Sequence, residues 1–106
     1  MERCVRDGRV AVLVSPGFGA GWSSWVAREL REQLLFDPAV VELVESGAEA
    51  SVIEQYCEEV YGDEHYYGGA GDLIVQWVPV GARFRIHEYD GSESLVLESE
   101  EEWVVA

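Results

Sequence analysis

The chain contains no lysine. All of its formal positive charge rests on seven arginines, set against 21 Asp and Glu, for a net charge of −14. That balance excludes a free surface for polyanions, so direct binding to nucleic acid or to an anionic membrane is not expected. It also excludes a Walker-type phosphate loop, which requires lysine. Cysteine is scarce as well. Cys4 and Cys57 make no disulfide framework, no secretory apolar segment precedes the fold, and no apolar run has the length of a membrane span. The expectation is a soluble protein of a reducing cytoplasm. Cys57 falls on the apolar stripe of a predicted helix, which points to packing and away from reactivity. The histidines, His65 and His87, lie on different predicted elements, and Asp63-Glu64-His65 lacks a partner motif, so no metal or cofactor is expected. There is no G-x-S-x-G elbow and no motif that places Ser, His and an acid together. An enzyme is not expected.

What is present is enough for one packed domain spanning residues 1–106. Apolar residues make up 48% of the chain and four are tryptophans, so its acidity does not mean disorder. The charge is uneven. Residues 1–36 carry five arginines against Glu2, Asp7, Glu29 and Glu32, whereas residues 37–72 carry ten acids and no base. Residues 73–106 hold Arg83 and Arg85 against seven acids.

The apolar run at residues 9–15, bounded by Asp7-Gly8 and Pro16-Gly17, predicts a strand buried on both faces in the centre of a sheet. A helix is expected from Trp22 or Ser23 to Phe36, with Trp22, Val26, Leu30 and Leu34 on one face. Asp37-Pro38 predicts an N-cap and N1 residue for a short second helix ending at Gly47. A third helix carries Val52, Ile53, Tyr56, Cys57, Val60 and Tyr61 as one stripe. Its start is marked by the capping-box spacing of Ser51 and Glu54, or lies nearer Ala48. Residues 62–71 read as a loop. Residues 73–78 and 82–89 read as strands joined in a hairpin around Pro79-Val80-Gly81, and Asp90-Gly91 marks a tight turn into a returning strand. Trp103-Val104-Val105 is expected to tuck back as an edge strand. The fold class is α+β, a small, mainly antiparallel sheet with two to three helices packed on one face.

Two candidate surfaces follow. The first is the loop Gly17-Phe18-Gly19-Ala20-Gly21, between a strand and a helix N-terminus, where backbone N–H groups can meet an anion. Trp22 stands where the third glycine of a dinucleotide fingerprint belongs, so the loop is not that motif. Ser15, Ser23 and Ser24 add hydroxyl donors, and Phe18, Trp22 and Trp25 are positioned to stack on a base. Arg83, Arg85, His87 and Tyr89 alternate along one strand and share a face, which offers Arg83 and Arg85 to a phosphate and Tyr89 to a base. The ligand-binding set is therefore Ser15, Gly17, Phe18, Gly19, Gly21, Trp22, Ser23, Arg83, Arg85 and Tyr89, taking a small anionic or nucleotide-like ligand. The competing structural reading is a tight connector that lets Trp22 and Trp25 pack, with the arginines in ordinary salt bridges.

The second surface is the acidic middle. Glu42, Glu45, Glu49, Glu54, Glu58, Glu59, Asp63 and Glu64 supply a row of carboxylates. That row either keeps a small domain soluble or mimics nucleic acid in a partner's phosphate-binding groove. On this alternative, the partner-binding residues are Glu42, Glu45, Glu54, Glu58 and Glu59.

The strings VLVSPGFGAGWSSW, LLFDPAVVELVE, GGAGDLIVQWVPVGARFRIHEYDGSESL and EEWVVA resemble a family of small accessory proteins of tailed bacteriophages. The resemblance covers most of the chain apart from residues 1–8 and 47–66, and it carries no catalytic residues to transfer. It implies a non-enzymatic anti-defence protein in the cytoplasm of an infected bacterium, acting by one of two routes. It would sequester a nucleotide signal, or it would block a host defence effector such as a CRISPR or restriction complex. A virion-assembly protein is the third reading.

Overall fold

The computed structural model describes residues 2–17 and 21–100. Phe18, Gly19 and the expected strand at 103–105 lie outside the described residues.

A three-stranded antiparallel sheet runs β1 (Val5–Arg6), β2 (Arg9–Val14), β3 (Ile74–Pro79), with β2 in the middle. Asp7 and Gly8 make the two-residue turn between β1 and β2. Both have positive φ, 51° and 74°, which is the backbone this kind of hairpin turn demands. Every β2 residue from Val10 to Val14 is buried, because both faces of the strand are covered. Ala11 and Leu13 pack against the helices, with Leu34, Val40, Val41, Ile53 and Cys57. Val10, Val12 and Val14 face the other way, onto Phe84, Ile86, Leu95 and Leu97 of a second sheet. That sheet is a hairpin of β4 (Phe84–Tyr89) and β5 (Ser92–Leu97), turned by Asp90 and Gly91 with φ of 51° and 87°. The molecule is thus layered as helices, sheet, hairpin, in an α+β fold whose central strand has no solvent-facing side.

The helices follow their local signals unevenly. In α2 (Pro38–Glu45), Asp37 accepts hydrogen bonds from the N–H groups of Ala39 and Val40, at 2.9 and 3.2 Å, with Pro38 at the first helical position. The helix ends at Gly47, φ 77°, whose N–H bonds Val44 O while Ala48 N–H bonds Leu43 O. This pair closes the last carbonyls. The third helix, α3 (Ala50–Tyr61), starts after Glu49 with no side-chain cap, so Ser51 does not serve as one. Ile53 and Cys57 are buried, but Val52 and Val60 are exposed, and the expected stripe is narrower than its sequence period suggests.

Two further expectations need correction. No continuous helix runs from Trp22. A 3₁₀ turn at Ser23–Trp25 is followed by extended backbone at Val26 and Ala27, and α1 spans Arg28–Phe36. The strands β3 and β4 also do not pair with each other. β3 pairs along its whole length with β2, Val10 opposite Val78 and Leu13 opposite Val75. After Pro79, the Val80 N–H bonds Gly8 O, and the chain crosses into the second sheet.

Candidate functional site

Three segments meet at one end of β2: the glycine loop after Ser15, the glycine-rich 3₁₀ segment Gly68–Asp72, and the start of β5. Their approach requires glycine at position 69, where the neighbour is backbone, and is close at Gly17, where the neighbour is the Asp72 side chain. A Cβ on Gly69 would lie 2.5 Å from the carbonyl oxygen of Gly21, and one on Gly17 would lie 2.3 Å from Asp72 Oδ2.

At the centre is Glu93, 1% exposed. Its Oε1 accepts from Ser15 N–H at 3.1 Å. Oε2 accepts from the N–H groups of Trp22 (2.8 Å) and Ser24 (3.1 Å) and from the Ser24 hydroxyl (2.5 Å). The Glu93 N–H donates in turn to Ser15 O at 2.8 Å, and Ser92 Oγ donates to Pro16 O at 2.7 Å. The backbone donors that flank the loop, those of Ser15, Trp22 and Ser24, thus converge on the chain's own carboxylate. Those bonds replace the water that Glu93 loses and fasten the second sheet to the first. They also explain the interrupted helix, since the N–H groups of Trp22 and Ser24 are directed at Glu93.

Of the residues expected to bind a ligand, Ser15, Gly17, Gly21, Trp22 and Ser23 gather at this end of β2, and Arg83 and Arg85 do not. Trp22 is 0% exposed and donates its indole N–H to Leu34 O at 2.9 Å, so it presents no ring to a base. Ser15, Gly21 and Ser23 are buried, and Gly17 lies against the Asp72 carboxylate. Arg85, His87 and Tyr89 do share the exposed face of β4, as their alternation predicts. Arg83, just before the strand, pairs with Glu98 at 3.2 Å. Tyr89 stands opposite Ser92 beside the loop, whereas Arg85 stands opposite Val96. Four residues of strand, roughly 13 Å, separate them. The arrangement does not bring Arg83 or Arg85 to the glycine loop.

Around the loop the exposed side chains are aromatic and acidic. Trp25 and Tyr66 are 41% and 52% exposed, and Tyr89 is 71% exposed. Glu88, Asp90 and Asp72 are exposed beside them. Glu88 Oε1 accepts from the Trp25 indole N–H at 2.9 Å and from Gly91 N–H at 2.7 Å, and these bonds hold its pKa below the ordinary carboxylate value.

The acidic middle divides into one internal carboxylate and an exposed set. Asp37 is buried and, besides capping α2, accepts from the hydroxyls of Tyr56 (3.0 Å to Oδ2) and Tyr61. Burial first, and the Asp37 charge second, push the Tyr56 pKa up to about 12, and burial pushes Cys57 up to about 12 as well. Burial, with the hydrogen bond to Asp37 second, also raises Tyr61. These groups stay neutral and structural. Glu42, Glu45, Glu49, Glu58, Glu59, Asp63 and Glu64 are exposed, with Glu54 half-buried. Glu45 is bound by Arg6 through two hydrogen bonds of 2.8 Å, and Glu64 lies 3.7 Å from His65. Glu42, Glu49, Glu54, Glu58, Glu59 and Asp63 make no ion pair among the described residues.

A cleft of about 450 Å³ is lined by Arg6, Asp7, Arg9, Glu45 and Trp77. Arg6 fills part of it, its guanidinium 5.2 Å from the Trp77 ring centre. Two cations and two acids balance there, so the cleft offers no net field to an anion. Among the described residues, no group of three or more His, Cys, Asp or Glu is placed to hold a metal ion, and no helix is long and apolar enough to cross a membrane.

Sequence reasoning missed Glu93, although one signal was available. In Ser92-Glu93-Ser94-Leu95-Val96-Leu97, Glu93 is in phase with Leu95 and Leu97, both directed at the core. A carboxylate on the apolar phase of a strand needs a buried partner. No family model, curated protein or solved structure matches the chain.

Proposed function

We propose that this is a non-enzymatic acidic binding protein, whose α2–α3 face occupies a basic groove on a partner protein. The observation that carries this reading is the set of six carboxylates, Glu42, Glu49, Glu54, Glu58, Glu59 and Asp63, standing without a cation among the described residues. Surface charges that no cation of the chain neutralises are available to a complementary surface, where they steer association and set specificity. The competing reading, capture of a phosphate beside the glycine loop, has three fewer donors to draw on, since the N–H groups of Ser15, Trp22 and Ser24 already serve Glu93. A nucleic-acid-handling effector of host defence is the class of partner that the phage resemblance suggests.

The test is capture of bacterial proteins on the immobilised full chain, compared with a Glu54→Lys/Glu58→Lys variant, at about 50 mM and about 500 mM salt. The expected result is retention of basic, nucleic-acid-binding polypeptides that high salt releases and the variant fails to hold. Retention that is indifferent to both salt and charge reversal overturns the proposal, as does retention of nothing.

A further inference from the structure

An aromatic pair at the rim of the Glu93 latch is exposed. The rings of Trp25 and Tyr66 lie 5.7 Å apart, 30° from parallel. Each is fitted against a glycine. A Cβ on Gly21 would lie 2.5 Å from Trp25 Cδ1, and one on Gly68 would lie 2.2 Å from Tyr66 Cζ. Both rings therefore lie over glycine backbone. The Trp25 indole N–H is held by Glu88 Oε1, and Glu88 Oε2 accepts no hydrogen bond among the described residues. Two large rings left 41% and 52% exposed, with an available carboxylate oxygen beside them, form a surface of specific chemistry.

We infer that Trp25, Tyr66 and Glu88 form a seat for an arginine side chain of a basic protein partner. The inference deepens the reading proposed above and rests on it for the partner's class. Guanidinium is planar and weakly hydrated, so it loses little on leaving water for an aromatic surface. Its N–H groups can meanwhile reach a carboxylate. A lysine ammonium is more strongly hydrated and presents no plane to a ring. Tryptophan, tyrosine and arginine are also the residues that most often dominate binding energy at protein interfaces. The chain's own charge of −14 favours a cationic occupant over a nucleotide base carrying phosphates, or over an anionic lipid surface.

The experiment titrates the full chain with a short peptide of alternating arginine and glycine, and with its citrulline counterpart, which keeps the shape and lacks the charge. The Trp25 indole N–H resonance, assigned with a Trp25→Phe variant, is followed by NMR. Saturable movement of that resonance with arginine, and none with citrulline, is expected. Tyr66→Leu should weaken binding about fivefold. Glu88→Gln keeps a carbonyl oxygen for the Trp25 and Gly91 N–H groups and should weaken it about threefold. An arginine peptide that moves α3 amides but not Trp25, and that binds both variants as it binds the wild type, overturns the seat and leaves the acidic-face reading standing. Movement of Trp25 with partner capture unaffected by Glu54→Lys/Glu58→Lys supports the seat and overturns the acidic face. An equal response to citrulline, or no response of Trp25 to either peptide, overturns the seat.

Discussion

A buried carboxylate without a cation is tolerated only when hydrogen bonds replace its lost water, and Glu93 shows how far a single residue can organise a small domain. Its four donors among the described residues come from Ser15, Trp22 and Ser24, between 69 and 78 positions earlier in the chain. Glu93→Ala would leave three backbone N–H groups in a buried site without an acceptor. Each unmet donor costs about 1–3 kcal/mol, and a domain of this size has only about 5–15 kcal/mol in total. Urea denaturation followed by tryptophan fluorescence should show the variant without a cooperative transition. Glu93→Gln keeps the size and one oxygen acceptor while turning an amide group toward N–H donors, and should lose about 2–4 kcal/mol. A Glu93→Ala protein as stable as the wild type would show that the latch holds nothing. The same geometry predicts that inorganic phosphate does not shift the backbone N–H resonances of Ser15, Trp22 and Ser24, because Glu93 already holds those donors.

Among the elements, those whose determinants are close in sequence were legible and those with distant determinants were not. Asp37-Pro38 states the start of α2, and Gly47 its end, because the capping partners lie within a few residues. The double-sided burial of β2 was legible from its unbroken apolar run. The break between Trp22 and α1 was hidden, because the helical period of Trp22, Val26, Leu30 and Leu34 is real as burial although the backbone between them is not helical. Pairing of β3 with β2 across some sixty residues has no local signature either. The second role of Asp37 was equally hidden, since Tyr56 and Tyr61 reach it from another helix. Its consequence is testable. Tyr56, ordinarily near 10, and Cys57, ordinarily near 9, are both pushed up to about 12, so the fold holds their neutral forms. The stability linked to them is complete below about pH 9 and is lost as pH rises through about 12. Asp37→Asn removes the charge that opposes phenolate. Ultraviolet titration of tyrosinate should therefore show Tyr56 and Tyr61 ionising at lower pH than in the wild type, though still above 10 because burial remains. Asp37→Ala removes the cap and both tyrosine acceptors, and should cost about 2–4 kcal/mol in urea denaturation.

At the scale of the whole molecule, three layers share one central strand while a charge of −14 acts against compactness. The core side of that balance predicts that Val12→Asp, at a fully buried position facing the hairpin, prevents cooperative folding. The surface side makes a sharper prediction, because on α3 function and stability should pull in opposite directions. Glu54 and Glu58 stand one helical turn apart and repel, and the last turn of α3 carries acids with no base to meet the negative end of the helix dipole. Glu58→Lys reverses both effects at once. It creates a Glu-to-Lys pair at the favourable spacing and places a cation near the helix C-terminus. The expected gain is up to about 1 kcal/mol at low salt, shrinking as salt is added. If the exposed carboxylates were only a solubilising face, nothing else should change. If they are kept for a basic partner, the better-folded variant should be the poorer binder at low salt, and its remaining binding should depend less steeply on salt. Thermal melts and partner capture on the same preparations measure the two quantities together. A Glu58→Lys protein that gains stability and keeps full binding would show that this acid serves neither the fold nor the partner.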